Sequence, residues 1–200
     1  MLVLLLVLSY RWAMRERKVK TFYPKKHHSK VSTKKYVPDA TNDPFDILLD
    51  VLRLEEGFNS TPYYCNLKYP TIGYGHLCSS VRYAPLSTCQ REKISLKEAE
   101  DLLISDVRAK INGMQNNPSI MAAYNQCDDR RKVILISMAF QMGVAGLGAF
   151  KNTLNLIKNH DWSKASEAML DSMWAVQTTN RAKRHASVIR TGKCSYYGWY

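Results

Sequence analysis

Residues 55–76 constrain the fold more than any other part of this 200-residue chain, because several kinds of local structure follow one another within them. Acidic residues come first, at the end of an apolar-periodic helix, and a polar, tyrosine-rich turn follows. Residues 71–76 then alternate as a strand does, and their glycines allow backbone and ligand to approach closely. This order of elements predicts one edge of a cleft.

The helix that leads into this stretch has clear start and stop signals. Asp43 can cap its first turn, Pro44 fits the first helical position, and Gly57 stands where a helix commonly ends. Glu56 then falls in the last turn, where the helix dipole disfavours an ionised carboxylate, as suits a general acid. Helical spacing does not choose between Glu55 and Glu56, and two ordinary surface acids would be the simpler interpretation if residues 55–76 stood alone. Adjacency to Gly57 favours Glu56.

Glu56 before a glycine, Tyr63 seven residues later and the Thr-Ile-Gly-x-Gly-His run resemble the signature of the phage-type lysozymes, or endolysins. Residues 140–143, Trp174 and residues 177–184 resemble further blocks of that family in the same order. The resemblance implies an α+β, lysozyme-like fold, with a small N-terminal lobe bearing a β-hairpin and a larger helical C-terminal lobe around a cleft. It also implies a muramidase that cleaves the β-1,4 bond between N-acetylmuramic acid and N-acetylglucosamine and lyses bacterial walls.

The resemblance assigns catalytic roles to four positions. Glu56 is the expected proton donor, Arg181 the residue that neutralises it, and Thr71 the residue that holds the attacking water. Glycoside hydrolysis normally needs two carboxylates, and the family has its second as an Asp nine residues after the Glu, where this chain has Cys65. A thiolate is a strong nucleophile, so Cys65 is expected to act as base, as nucleophile or as a bystander.

The same resemblance implies supporting and substrate-binding residues. His76 is expected to pair with Asp106 as a salt bridge and not as a metal site, since no third ligand is evident. No metal or organic cofactor is expected. The positions that match contacts of the saccharide cleft are Leu77, Phe140, Gln141 and Thr153. For Phe140, a place in the hydrophobic core is nearly as good an interpretation.

Five cysteines leave at least one unpaired, and two pairs can be chosen from five in fifteen ways. The resemblance would put Cys127 just before one helix and Cys194 just after an antiparallel neighbour, and a bridge at Cys65 would block the cleft. The expected disulfides are therefore Cys78–Cys89 and Cys127–Cys194. Five reduced thiols are the alternative.

The second half of the chain reads as helical. Ser95 and Glu98 form a capping box that opens a long amphipathic helix. Residues 133–142 are almost continuously apolar and predict a buried central helix ended by Gly143 and Gly146. Shorter helices are expected around residues 150–157, 162–170 and 180–189, with Gly192 as a stop.

The chain is expected to divide into an apolar segment at 1–10, a basic extension at 11–41 and a catalytic domain at 42–200. Residues 2–8 are all apolar, too few to span a bilayer, and resemble the core of a truncated secretion signal. A short membrane anchor and a misread start codon are the alternatives. The predicted location is secreted or extracellular, or else the host cytoplasm with release by lysis.

Residues 11–35 carry ten Lys or Arg against one acid, which supplies +9 of the formal net charge of +12. The plainer interpretation is a solvated, disordered tail. The functional interpretation is that the tail attracts the protein to the anionic bacterial surface. The expected substrate is peptidoglycan, and the protein is expected to act as a monomer. Nucleic-acid binding is disfavoured because the folded part has no basic motif with interleaved aromatics. A catalytically weakened domain that only binds peptidoglycan is a further alternative.

Overall fold

A computed structural model describes residues 43–197, which lie within one compact unit, Thr41–Tyr200. The segments expected at 1–10 and 11–41 lie outside the described residues. The helices are α1 (Pro44–Glu56), α2 (Leu96–Gln115), α3 (Pro118–Tyr124), α4 (Asp129–Gly148), α5 (Lys151–Lys158), α6 (Trp162–Leu170), α7 (Met173–Gln177) and α8 (Thr179–Thr191). The strands are β1 (Asn59–Tyr64), β2 (Pro70–Gly73) and β3 (His76–Leu77), and short 3₁₀ turns lie at Leu86–Cys89 and Ser195–Tyr197.

Helix α1 forms as its end signals predict. The side chain of Asp43 accepts a hydrogen bond from the Phe45 N–H at 2.8 Å, and Gly57 ends the helix with φ +67°. The face that α1 turns to the interior carries Ile47, Leu48, Leu49, Val51 and Leu52. Because α1 packs on α4, its last residue, Glu56, is brought to the edge of the helical core.

The sheet is an antiparallel meander in the order β1-β2-β3. Tyr63 of β1 and Leu77 of β3 lie opposite Thr71 of the central strand, which is buried along its whole length. The prediction of one strand over residues 71–76 is wrong, because Gly73 and Gly75 adopt φ +67° and +84° and turn the chain between β2 and β3. The predicted tyrosine-rich turn is also partly wrong, since residues 59–64 form β1.

Helix α2 joins the sheet to the other helices. Its capping box is present, with Ser95 and Glu98 bonded to each other's main-chain N–H groups. A methyl group on Gly73 of the sheet would lie 3.3 Å from Cβ of Ala99 in the first turn, and one on Gly113 near the end would lie 3.0 Å from Val144 of α4. The sheet therefore packs on the first half of α2 and the helical core on the second half.

Helix α4 is the central helix of the larger, helical lobe, and residues 133–139 are buried without exception. Gly143 breaks its helical geometry, with φ +79° and ψ 162°, as predicted. Gly146 does not end it, however, because the helix continues to Gly148. Helices α5, α6 and α8 lie where short helices were expected, whereas α3 and α7 were not foreseen.

Within residues 43–197, no single helix is both long enough and apolar enough to cross a membrane. Helices α4 and α5, bent by 100° to each other, meet those criteria of length and composition only as a pair.

One of the two expected disulfides is present. Cys78 and Cys89 are bonded, with Cα atoms 4.7 Å apart, and the bond closes the loop after β3. The Cys127–Cys194 disulfide was a wrong prediction, since both residues are buried free thiols. Cys127 Sγ is directed to the Ala123 carbonyl oxygen, 3.4 Å away. Burial raises the pKa of Cys127 to about 12 and that of Cys194 to about 11, so both stay protonated at neutral pH.

Candidate active site

Glu56 and Arg181 form an ion pair where α1 ends. Arg181 Nη1, on α8, lies 2.7 Å from Glu56 Oε1, and the two side chains are 6% and 18% exposed. The pairing that the resemblance implied is therefore present. An arginine this close holds the Glu56 side chain in position.

A second set of contacts orients Arg181 from α4. Its Nη2 donates to Ser137 Oγ at 2.9 Å and to the Ser137 carbonyl oxygen at 3.2 Å. Arg181 Nε has no hydrogen-bond partner among the described residues. The guanidinium is thus fixed through its two terminal nitrogens, one on the Glu56 carboxyl group and one on α4.

Glu55 has different partners from its neighbour Glu56. Its side chain is 3% exposed, with Arg184 Nη2 2.5 Å from Oε2 and the Tyr197 hydroxyl donating to Oε1 at 2.6 Å. The hydrogen bond to Glu55 raises the pKa of Arg184, and burial raises that of Tyr197. Glu55 therefore ties α1 to α8 and to the C-terminal 3₁₀ turn, so neither acid is an ordinary surface residue.

The turn between β2 and β3 lies against the Glu56 carboxyl group. A methyl group on Gly75 would lie 3.6 Å from Glu56 Oε2 and 4.0 Å from a ring carbon of Phe140. The φ of +84° at Gly75 is a second reason for glycine there. Glu56 is thereby placed at the junction between the sheet and the helical lobe, which is where the sequence predicted a cleft.

Cys65 begins the turn that connects β1 to β2. Its N–H donates to the Tyr69 carbonyl oxygen at 3.0 Å, and its carbonyl oxygen accepts from the Lys68 N–H at 2.8 Å. Burial raises the pKa of the thiol, but hydrogen bonds from the main chain at Tyr69, Leu67 and Lys68 and from the Thr71 hydroxyl outweigh it. The net effect lowers the pKa of Cys65, which makes a thiolate more accessible.

Thr71 and Tyr63 lie beside Cys65. Thr71 is 3% exposed, and its single hydroxyl proton can be donated either to the Cys65 sulfur or to the Tyr69 carbonyl oxygen, which is 3.0 Å away. The pKa of Tyr63 is raised by burial first and then by the charges of Glu56 and Cys65. Tyr63 is therefore near both predicted catalytic groups, so the fold brings Glu56, Cys65 and Thr71 into one region.

The expected pair of His76 and Asp106 is present, with Nδ1 2.9 Å from Oδ2 and the side chains 30% and 27% exposed. The hydrogen bond to Asp106 raises the pKa of His76. It links β3 to α2. Among residues 43–197 there is no group of three or more His, Cys, Asp or Glu that could hold a metal ion.

The four predicted saccharide contacts occupy different environments. Leu77 is 48% exposed on β3, while Phe140 and Gln141 are half-buried on α4. Gln141 Oε1 accepts a hydrogen bond from Trp174 Nε1 at 2.8 Å. Thr153 is only 3% exposed in α5, so little of its side chain faces solvent. Their contact with a saccharide stays a prediction.

Sequence reasoning missed three residues that connect Arg181 to Glu55 by hydrogen bonds. Ser137, His185 and Tyr197 are joined by hydrogen bonds of 3.0 Å, from Ser137 Oγ to His185 Nε2 and from His185 Nδ1 to the Tyr197 hydroxyl. Ser137 carried a signal, since it is the one hydroxyl within the apolar run of residues 133–139. A lone polar residue on a buried helix needs a partner.

The structure thus places a carboxyl group paired with arginine at the junction of a small sheet with a helical lobe, near a second ionisable group. The chain belongs to the phage lysozyme family, whose sequence model matches residues 53–187. The predicted family, its α+β lysozyme-like fold and its assignment as a glycoside hydrolase of the muramidase type are thus confirmed. Membership indicates hydrolysis of peptidoglycan.

Two similar proteins come from Dictyostelium discoideum. The probable T4-type lysozyme 1 is 32% identical over 163 residues, covering 74% of this chain and 96% of that protein. The probable T4-type lysozyme 2 is 31% identical over 165 residues, covering 75% of this chain and 97% of that protein. The pre-baseplate central spike protein Gp5 of Enterobacteria phage T4 is 29% identical over 78% of this chain, which corresponds to 30% of the spike protein.

Proposed function

We propose that this enzyme cleaves the β-1,4 bond between N-acetylmuramic acid and N-acetylglucosamine and thereby lyses bacterial walls. The observation that carries the proposal is the Glu56–Arg181 pair at the junction of sheet and helices, with Gly75 leaving space above the carboxyl group. Membership of the phage lysozyme family supports the choice of substrate.

In this proposal protonated Glu56 gives its proton to the glycosidic oxygen as the C–O bond breaks. The carboxylate left behind is stabilised by Arg181, whose Nη1 lies 2.7 Å from it. Arg181 therefore assists after proton transfer and holds the side chain in place before it. The proton must be taken up again before the next turnover.

Replacement of Glu56 tests the proposal. Glu56→Gln keeps the shape and removes the acid, so lysis of purified walls should fall by about 10³-fold or more with the fold retained. Glu92→Gln, at an exposed position in the loop before α2, is the matched control and should lyse at the parental rate. Turbidity and release of reducing ends measure the effect, and near-parental lysis by Glu56→Gln would reject the assignment.

Cys65 is proposed as the second catalytic group. Its support is the position nine residues after Glu56, the lowered pKa and the contact with Thr71. In one route the thiolate attacks the anomeric carbon while Glu56 protonates the leaving oxygen. Water then displaces the thiolate, gives a proton to Glu56 and restores the configuration. In the other route the thiolate takes a proton from an attacking water, and the configuration inverts.

The variants Cys65→Ala and Cys65→Asp distinguish these roles. We expect the Ala variant to lose about tenfold in rate and the Asp variant to regain it. NMR of the product anomer then separates retention from inversion. A Cys65→Ala variant as fast as the parent would make Cys65 a bystander.

A second candidate function is binding of peptidoglycan with little hydrolysis, and the thiol in place of a carboxylate is the observation that favours it. The parent would then sediment with purified walls and release no reducing ends. The same assay on Cys65→Asp shows whether a carboxylate alone restores cleavage.

We further propose that the enzyme acts outside the cell as a monomer and that residues 11–35 attract it to anionic bacterial surfaces. The support is the +9 charge of that segment and the Cys78–Cys89 disulfide, a bond typical of exported proteins. Deleting residues 11–35 should leave cleavage of soluble saccharides unchanged and slow lysis of whole cells, most strongly at low salt. Equal cell lysis at every salt concentration would make the segment a passive spacer.

A further inference from the structure

A chain of buried polar groups runs from Arg181 to the C-terminal turn. Arg181 Nη2 contacts Ser137 Oγ at 2.9 Å, and Ser137 Oγ contacts His185 Nε2 at 3.0 Å. His185 Nδ1 contacts the Tyr197 hydroxyl at 3.0 Å, which contacts Glu55 at 2.6 Å. Ser137 and His185 are both 0% exposed. This series of hydrogen bonds joins Arg181, the partner of Glu56, to Tyr197, a partner of the neighbouring Glu55.

The donors and acceptors in this chain have one consistent arrangement. Tyr197 has a single hydroxyl proton, and the Glu55 carboxylate that pairs with Arg184 accepts it. The Tyr197 oxygen must then accept from His185, so Nδ1 carries the proton. Nε2 of a neutral imidazole is therefore free to accept from the Ser137 hydroxyl, whose oxygen in turn accepts from Arg181.

A second proton on His185 would break this arrangement. Nε2–H would then point at the Ser137 hydroxyl, which could no longer donate to it. A new cation would also be buried beside Arg181 and Arg184, with Glu55 reached only through Tyr197. The groups that face the imidazole are Arg181 and Arg184 on α8, Ser137 on α4, Tyr197 in the C-terminal turn and the Trp174 ring, whose centroid is 6.0 Å away on α7. Burial first, and then the two arginines, lower the pKa of His185.

We propose that Ser137, His185 and Tyr197 are positioning residues, which hold Arg181 against Glu56 through a relay that needs a neutral His185 protonated at Nδ1. The relay rests on the proposed proton donation by Glu56. Arg181 Nε is unpartnered among the described residues. Apart from the bond to Glu56, Ser137 therefore provides the contacts that orient the guanidinium. Loss of the relay lets the guanidinium turn, and misplacement of a catalytic group lowers the rate more than substrate binding.

The variants His185→Gln and His185→Leu separate positioning from packing. Gln has an amide NH₂ that donates and a carbonyl oxygen that accepts, and it does not titrate, whereas Leu fills the space and can do neither. On soluble peptidoglycan fragments, His185→Leu should lower kcat by about tenfold with KM unchanged, and His185→Gln should recover most of that loss. Ser137→Ala, which keeps the carbonyl contact to Arg181, should lower kcat in the same sense. Ser166→Ala, at a buried serine of α6 that makes none of the hydrogen bonds of the relay, is the control and should keep the parental kcat.

Imidazole ¹⁵N NMR gives a readout that packing would not change. We expect a neutral His185 with its proton on Nδ1 at pH values at which the free side chain is charged, below about 6.5. An imidazolium there, a proton on Nε2, or equal kcat in folded Ser137→Ala and the parent would overturn the relay. If His185→Leu does not fold, Ser137→Ala and the NMR spectrum still decide. A parental enzyme that cleaves no fragment would instead reject the proposed function.

Discussion

Glu56 and Cys65 are nine residues apart in the sequence and are held in place by different kinds of interaction. Glu56 is held from the helical lobe by side chains, through the buried Arg181 and the Ser137 and His185 behind it. Cys65 is held by main-chain hydrogen bonds within its own turn. Side-chain substitutions should therefore disturb the Glu56 side of the site more than the Cys65 side.

The loop closed by Cys78–Cys89 reinforces the Cys65 side. The Tyr83 N–H in that loop donates to the Lys68 carbonyl oxygen at 2.8 Å, and Lys68 belongs to the turn that Cys65 begins. Tyr83 and Lys68 both have positive φ, at 58° and 68°, which a loop without outside support holds less readily. The Cys78–Cys89 disulfide thus stabilises the Cys65 side of the site, whereas buried ion pairs stabilise the Glu56 side.

The largest loss of stability is expected on the helical side of the site, from the substitution Glu55→Gln. The substitution leaves Arg184 and the Tyr197 hydroxyl without a charged partner in a region where Glu55 is 3% exposed. Breaking a buried pair in this way should lower the free energy of unfolding by about 3–5 kcal/mol. Chemical denaturation measures it, with Asp101→Asn, in a pair whose side chains are both 62% exposed, as the control that should change little. Equal losses in the two variants would contradict the contrast.

On the sheet side, replacing Cys78 and Cys89 by Ser should lower the free energy of unfolding by about 2–3 kcal/mol, since the bond closes a loop with a sequence separation of 11. The structural consequence should be local. Amide hydrogen exchange should speed up in residues 65–69 and in the loop after β3, and stay unchanged in α4. A reductant added to the parent should reproduce the result, and uniform acceleration across the protein would remove the distinction between the two sides.

The smallest effect is a difference in pH dependence between two histidines. The pKa of His76 is raised by its bond to Asp106, so its stabilisation is present below the unfolded pKa of about 6.5 and lost as pH rises through the folded pKa. Solvent screens that partly exposed pair and keeps its contribution small. The pKa of His185 is lowered, so its contribution is present above about 6.5 and lost as pH falls.

The free energies of unfolding of His76→Gln and His185→Gln, measured above and below pH 6.5, test whether the two histidines have opposite pH dependences. His76→Gln should cost most at acid pH and little at alkaline pH. His185→Gln should remove a slope of at most about 1.4 kcal/mol per pH unit below pH 6.5. Parallel curves for the parent and both variants would show that neither histidine is linked to folding.

Local signals allowed much of the fold to be predicted from sequence. Asp43 and Gly57 mark the ends of α1, and Ser95 with Glu98 opens α2, because each depends on hydrogen bonds to residues only a few positions away. The same reasoning failed between β2 and β3. The alternating pattern of residues 71–76 did not show that Gly73 and Gly75 would turn the chain, since the pairing of neighbouring strands decides where a short strand ends.

The sequence by itself determined both ends of α1, the start of α2, the family signature and the position of Glu56 before Gly57. Only the tertiary structure decided that Glu55 is a buried structural residue and Glu56 the accessible acid, because their partners Arg184 and Arg181 lie more than a hundred residues away. It also decided that Cys127 and Cys194 stay thiols. Contacts between distant segments depend on how all the elements pack, and local spacing does not determine that packing.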